Sequence, residues 1–379
     1  MKKNVMIMGA AGRDYENFLV YFKDNSEFHV VCFTQAQIPG IEKRKFPKEL
    51  AGKLYRKDIP IYSEERLPKL IKKLKIDEVI LAYSDLSEHD VLEKASIVLA
   101  NGATFRLLGP NDTMLKSTKP VISICAVRTG AGKSQTSRAI GEILRKHNKK
   151  IVAVRHAMPY NRDLMKQVVE RFANLSDLKK YETTLEEDEE YVPWIKKQIP
   201  VYAGIDYEKI SRQSEREADI IIFDGGNNDW PFIRPNLQIV IADPLRAGHE
   251  ISYYPGFVNF LMADIILINK IDSASKESIQ IVENNIKKYN PKAIVIKARS
   301  EIIADNPKLI SGKRVLLIED GPSITHGGMK FGAATVAAKK YGAKEIINAK
   351  KYAVGSIRET YAKYIHLEKE LPAMGYNEK

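Results

Sequence analysis

The sequence is poor in cysteine, histidine and tryptophan, and it lacks any long apolar run. Cys32 and Cys125 are the only cysteines among 379 residues. Both lie in strand-like apolar runs, which excludes a disulfide framework and implies buried free thiols in a reducing cytoplasm. Seven scattered histidines beside two cysteines make no paired Cys/His metal-loading motif. No apolar stretch approaches the length of a membrane span, and the apolar part of residues 1–8 is too short for a secretory signal. Acidic residues are fewer than basic ones, 48 against 60, for a net charge of +12. The basic residues are scattered, densest over 69–75, and no aromatic side chains interleave with them. That argues against a nucleic-acid surface and a membrane partner, and is compatible with a polyanionic small substrate.

What is present describes a soluble globular protein: 44% hydrophobic and 28% charged residues, at a length that suggests two or three domains. Apolar runs at residues 4–8, 28–33, 78–82 and 104–108 alternate with helical patterns near 15–24, 64–74 and 87–100, a doubly wound α/β layout. Gly9-Ala-Ala-Gly12 after the first run is read as a tight turn, since the full dinucleotide spacing is absent. Arg13 and Asp14 stand at that strand's carboxyl edge. A loop-rich insertion follows over 34–60, and the turn at 108–113 marks a boundary.

At residue 121 the pattern restarts. Apolar runs at 121–127, 151–154, 219–223, 237–242, 264–268 and 293–297 read as buried parallel strands. The first breaks into Arg128-Thr129-Gly130-Ala131-Gly132-Lys133-Ser134-Gln135, followed at once by a helical pattern with Thr136, Ala139, Ile140, Ile143 and Leu144 on one face. Small glycine turns let backbone N–H groups point inward, Lys133 suits β/γ-phosphates and Ser134 suits Mg²⁺. The helix start adds the positive end of its dipole. The full phosphate-loop pattern asks for glycine where Val127 stands. The acidic run at 186–190 reads as a solvated surface segment.

Two further motifs give the loop its meaning. Asp224 ends an apolar strand and is followed by Gly225-Gly226; a carboxylate there orients Mg²⁺ directly or through water, so Ser134 and Asp224 are the expected metal residues. Asn269-Lys270-Ile271-Asp272 also ends a strand. In such a motif the aspartate accepts hydrogen bonds from guanine, the lysine stem packs along the base and the asparagine buttresses the loop. A site built on paired polar contacts rejects the other base. Catalysis is expected from Lys133, Arg128 and Asp224, and nucleotide contacts from residues 129–135 with Gly226, Asn269, Lys270 and Asp272. The nucleotide is GTP or ATP. Arg155 and His156, Arg246 and His249, and His326 and Lys330 follow strand ends or turns, and with Arg13 they are candidates to hold substrate.

This constellation resembles the SIMIBI class of P-loop NTPases, with Arg128 in the place of that class's signature lysine. The class lysine acts across a dimer, so a homodimer is one expectation. The whole chain further resembles predicted GTPases and cyclic 2,3-diphosphoglycerate synthetases, through Met8-Gly-Ala-Ala-Gly-Arg-Asp14, Gln37-Ile-Pro-Gly-Ile41, Ala126-Val-Arg-Thr-Gly130, Val154-Arg-His156, Asp224-Gly-Gly-Asn-Asn-Asp229, Asp243-Pro244, Gly248-His-Glu250 and Thr325-His-Gly-Gly-Met-Lys330. The resemblance implies a Mg²⁺-dependent, NTP-hydrolysing ligase that forms a phosphoanhydride on a small phosphorylated acid. A GTP-driven switch or metallochaperone is the competing expectation. The domains expected are a Rossmann-like one over 1–116, the NTPase over 117–312 and a smaller αβ section over 313–379. Family members usually continue further, so that last section is expected to be truncated.

Overall fold

Continuous Ile/Val-rich runs bury both faces of a parallel strand, and short polar segments between them return the chain through helices. The computed structural model, which describes residues 2–10, 12–36, 44–156, 163–225 and 229–373, has that α/β architecture. Gln37–Ile41 of the motifs above, Gly226 and the last six residues lie outside the described set.

The first sheet contains β1 (Lys3–Met8), β2 (Phe28–Gln35), β3 (Lys45–Phe46), β4 (Ile59–Ser63), β5 (Glu78–Leu81) and, after the two-residue β6 (Leu86–Ser87), β7 (Thr104–Arg106). Their order is β3-β4-β2-β1-β5-β7, parallel except where β3 meets β4. Val5 and Ile7 face a core with Tyr15, Phe18 and Phe22. Met6 and Met8 face the helices Leu67–Leu74 and Glu88–Ala100 on the other side. The helix expected near 15–24 is an α-helical turn, Arg13–Asn17, running into a π-helical one, Phe18–Phe22.

The second sheet contains β8 (Val121–Ala126), β9 (Ile151–Val154), β10 (Glu170–Phe172), β11 (Val201–Ala203), β12 (Ile220–Asp224), β13 (Leu237–Ala242) and, after β14 (Tyr253–Tyr254), β15 (Ile265–Ile268) and β16 (Ile294–Lys297). The order is β10-β11-β9-β12-β8-β13-β15-β16, parallel except for β10. Central strand β8 carries the glycine-rich turn at its carboxyl end, with Asp224 ending its neighbour β12. One expectation fails here. Residues 293–297 are not a buried strand: β16 is the sheet edge, and Ile294, Val295 and Ile296 are exposed. On the face of the sheet beside the helix Lys133–Lys146, Ile140, Ile143, Leu144, Ile239, Ile265 and Ile296 line an open apolar groove. An edge strand with a bare flank has the same composition as a central one, so the apolar run could not tell them apart.

The two sheets meet through β6 and β14, which pair antiparallel. After residue 313 two short parallel ladders, Arg314–Val315 with Glu345–Ile346 and Ile318–Glu319 with Leu371–Pro372, hold the remaining segment. Glu319 there accepts hydrogen bonds from the backbone N–H groups of Gly332, Ala334 and Thr335, a carboxylate satisfying the open N-terminus of the helix Ala333–Lys340. Among the described residues, no helix is long and apolar enough to cross a membrane.

Candidate functional site

The glycine-rich turn is gripped from two sides. Gly130 and Gly132 have φ of +76° and +110°, the left-handed region that glycine enters without strain. A Cβ at Gly132 would collide with Asn269, and one at Gly130 with Ser323. Asn269 donates from Nδ2 to the Ala131 carbonyl at 2.8 Å. Lys270 Nζ donates to the Gly130 carbonyl at 2.6 Å and pairs with Asp243 at 2.9 Å. Asn269 and Lys270 thus both hydrogen-bond to carbonyls of the glycine-rich turn. Asp272 is exposed, with one carboxylate oxygen accepting from Ser300 N at 2.9 Å.

Beneath the turn lies Asp224, fully buried. Its Oδ1 accepts from Lys133 Nζ at 3.1 Å and from Ser137 Oγ at 2.8 Å; its Oδ2 accepts from Trp194 Nε1 at 3.0 Å and is ion-paired with Arg155. Burial alone would push this carboxyl upward, but the charges of Arg155 and Lys133 outweigh it and hold Asp224 well below the usual carboxylate range. Both oxygens are thus engaged. Arg155 also pairs with Glu190 at 2.9 Å, and Glu190 accepts a long 3.4 Å hydrogen bond from Ser134 Oγ.

Glu190 corrects the reading of residues 186–190. They are not simply solvated: they belong to the helix Leu185–Lys196, capped by Thr184, in which Glu187 is buried and Glu190 reaches the loop's hydroxyl. Five consecutive acids carry no mark of which one turns inward. The helical period around Tyr191, Trp194 and Ile195 is the signal that could have found it.

Arg128 is buried and committed on several sides. Its Nε pairs with Asp85 at 2.7 Å, Nη1 meets His249 Nδ1 at 2.6 Å, Nη2 donates to the His326 carbonyl at 2.9 Å, and the guanidinium lies 3.6 Å over the Tyr253 ring. Thr129 Oγ1 donates to the same Asp85 at 3.3 Å. Arg246 pairs with Asp243 at 2.7 Å and donates to the Gly327 carbonyl at 2.6 Å. The structure therefore gathers Arg128, Arg246, His249 and the backbone around His326 into one network, while the Lys330 side chain is exposed. Burial, then the charges of Arg128 and Arg246, lower His249 to about 4.

His156 and Arg13 take other places. His156 is packed edge-on among Tyr207, Phe223 and Phe232, with Nδ1 3.2 Å from the Tyr207 hydroxyl. Burial first, then Arg13, Arg155 and Lys133, lower it to about 3, so it stays neutral at physiological pH. Arg13 is buried 3.5 Å over the Trp230 ring and 3.4 Å from Asp229. Among the described residues no group of three or more His, Cys, Asp or Glu side chains could hold a metal ion.

No family model matches this chain. Over 378 residues it is 59% identical to the arginine synthetase ArcE of Thermococcus kodakarensis, covering 100% of this chain and 84% of that relative. Shorter matches reach the cyclic 2,3-diphosphoglycerate synthetases of Thermococcus sibiricus, 28% identical over 109 residues (28% of this chain, 24% of that one), and Pyrococcus furiosus, 29% over 75 residues (20% and 17%). The relation to the latter family is thus partial, and the whole-chain likeness is to an arginine synthetase. Among solved structures, LpxK of Aquifex aeolicus in complex with ATP aligns with a TM-score of 0.42 and 14% identity, over 76% of this chain and 85% of that one.

Proposed function

The chain belongs to the family of arginine synthetase ArcE, and from that premise we propose that it makes the guanidinium group of arginine at the expense of a nucleoside triphosphate. An NTP-using ligase is the enzyme class this membership carries. The observation supporting the specific reading is 59% identity along the whole chain, against a much shorter likeness to the cyclic 2,3-diphosphoglycerate synthetases.

In the proposed arrangement, residues 129–135 wrap the phosphates with backbone N–H groups, and Lys133 leaves Asp224 to meet the β- and γ-phosphates. Asn269 and Lys270 hold the loop from below, and Asp272 reads the base. The oxygens of Ser134 and Glu190 already face each other and suit the hard-oxygen set that Mg²⁺ takes, with Asp224 behind them. Held by Ser134, Glu190 and Asp224, Mg²⁺ would neutralise the negative charge of the reacting phosphates. Arg155, between Asp224 and Glu190, keeps those two carboxylates from repelling the incoming phosphates.

The chemistry is that of turning a poor leaving group into a good one. The oxygen of a ureido amino acid, the carbonyl counterpart of arginine, attacks the γ-phosphorus; the bond to the β-phosphate oxygen breaks and nucleoside diphosphate leaves. Ammonia then attacks the phosphorylated carbon, the C–O bond breaks and inorganic phosphate departs with the spare proton. All participants need charge held in place, so electrostatic positioning by Lys133 and the loop supplies the rate.

The test is release of nucleoside diphosphate by the whole chain with ureido amino acid plus ammonium, with 2,3-bisphosphoglycerate, or with nucleotide alone. Stimulation by the first supports the proposal. Stimulation by the second gives a phosphoanhydride-forming ligase, and no effect of either returns the reading to a GTP-driven switch.

A further inference from the structure

Past the carboxyl ends of β1 and β12 the two sheets make a buried charged contact, Arg13 with Asp229, that the nucleotide chemistry above does not use. After β1, the helix Arg13–Asn17 buries all five of its residues, four of them charged or amide-bearing: Arg13, Asp14, Glu16 and Asn17. Against it lies Asp229, buried, with Trp230 behind. Asp229 stands five residues beyond Asp224, and its charge is felt at Cys125, on the strand that leads into the glycine-rich turn. Two carboxyls, Glu16 and Asp229, thus lie against the buried Arg13.

Such an excess is costly unless something offsets it. Arg13 reaches Asp229 at 3.4 Å, and Asp14 accepts from Gly12 N at 3.2 Å. Glu16 Oε1 and both polar atoms of the Asn17 side chain have no hydrogen-bond partner among the described residues, although Glu16 is 2% exposed and Asn17 fully buried. Glu16 feels the charges of Arg13, Asp229 and Asp14, in that order after burial, which places its carboxyl in the midst of the cluster. Burial and its acidic neighbours push Glu16 well above the usual range, and burial, opposed by Arg13, raises Asp229 to about 7.

We propose that this junction, between the helix Arg13–Asn17 and the Asp229–Trp230 segment, is the subsite for the guanidinium end of arginine and for its ureido counterpart, with Glu16 and Asn17 as direct partners. The proposal rests on the arginine synthetase reading. A guanidinium is a planar fork of five N–H donors with delocalised charge; it matches unpartnered carboxylate and amide oxygens and restores charge balance. The ureido form adds a carbonyl acceptor, which the Asn17 amide N–H₂ can meet. Trp230 already holds a guanidinium, that of Arg13, against its face. The place is also right for the reaction, because Asp229 adjoins the strand beneath the phosphate loop and the reacting carbon must reach the γ-phosphate.

The experiment uses the full chain and two readouts. Arginine should raise the melting temperature of the parent protein and drive phosphorylation of nucleoside diphosphate by phosphate. Glu16→Gln should fold like the parent without ligand, because the amide has the same shape and no hydrogen bond of Glu16 Oε1 is broken. It should lose the arginine-dependent rise and show a KM for arginine about tenfold or more higher, with the KM for nucleotide within about twofold. If Glu16→Gln does not fold, Asn17→Ala carries the same test. A parent that uses arginine while these variants keep its KM overturns the subsite and leaves the function standing. A parent that neither binds nor uses arginine overturns the function, and the subsite with it.

Discussion

Arg128 and Asp85 lie 2.7 Å apart, one at the start of the glycine-rich turn on the second sheet and the other just past β5 of the first. The first residue of that turn spends its charge on joining two sheets. Arg128→Ala should therefore act on stability, by about 3–5 kcal/mol, because Asp85 is left buried without its cation. Urea denaturation measures this. A loss of nucleotide affinity of 100-fold or more at unchanged stability, roughly 2.7 kcal/mol in binding, would instead put the guanidinium on a phosphate.

Lys133 and Arg155 share Asp224 and should separate cleanly. Lys133→Ala leaves Asp224 with Arg155, Ser137 and Trp194, so the fold should persist while turnover falls by about 10²-fold or more. Arg155→Met removes the cation nearest a fully buried carboxylate and should cost about 3–5 kcal/mol of stability. Steady-state turnover and chemical denaturation of both variants check the pair. Equal losses of stability would contradict it.

Acid stability should depend on His156. Its folded-state value of about 3 lies below the ordinary 6.5, so the unfolded chain binds the extra proton between those limits. The contribution of neutral His156 is present above about 6.5 and is lost as pH falls toward about 3. His156→Phe fits the cage of Tyr207, Phe223 and Phe232 and removes the titration. The stability gap between parent and variant, measured by denaturation at pH 7 and pH 4.5, should shift in favour of the variant at the lower pH. An unchanged gap would mean that His156 does not titrate as placed.

Base choice is a separate matter from ligase chemistry. Asp272→Asn should weaken GTP and favour xanthosine triphosphate, whose base presents the complementary group. Equal affinity of the parent for ATP and GTP, by fluorescence competition, would remove the guanine assignment.

Much of this was legible in the chain because it is written locally. The turn at 128–135, the strand-end Asp224 and the Asn269–Asp272 segment each depend on neighbours close in sequence, and the α/β alternation follows from short apolar runs between helical periods. Partnerships across the fold were not legible. Helical periodicity can mark Glu190 as turned inward, but that it meets Ser134, that Arg128 is held by Asp85, or that His156 is an aromatic-core residue depends on which helix or sheet edge lies opposite. β16 failed for the same reason: an apolar strand at an edge reads as one in the middle.

The central claim is that the ureido oxygen is phosphorylated and leaves as part of inorganic phosphate. Turnover of ureido amino acid labelled with ¹⁸O at that oxygen, in the presence of nucleoside triphosphate and ammonium, followed by mass spectrometry of the phosphate, tests it directly. The account predicts one ¹⁸O atom in each phosphate released and none in arginine. Nucleotide hydrolysis that yields unlabelled phosphate would contradict it.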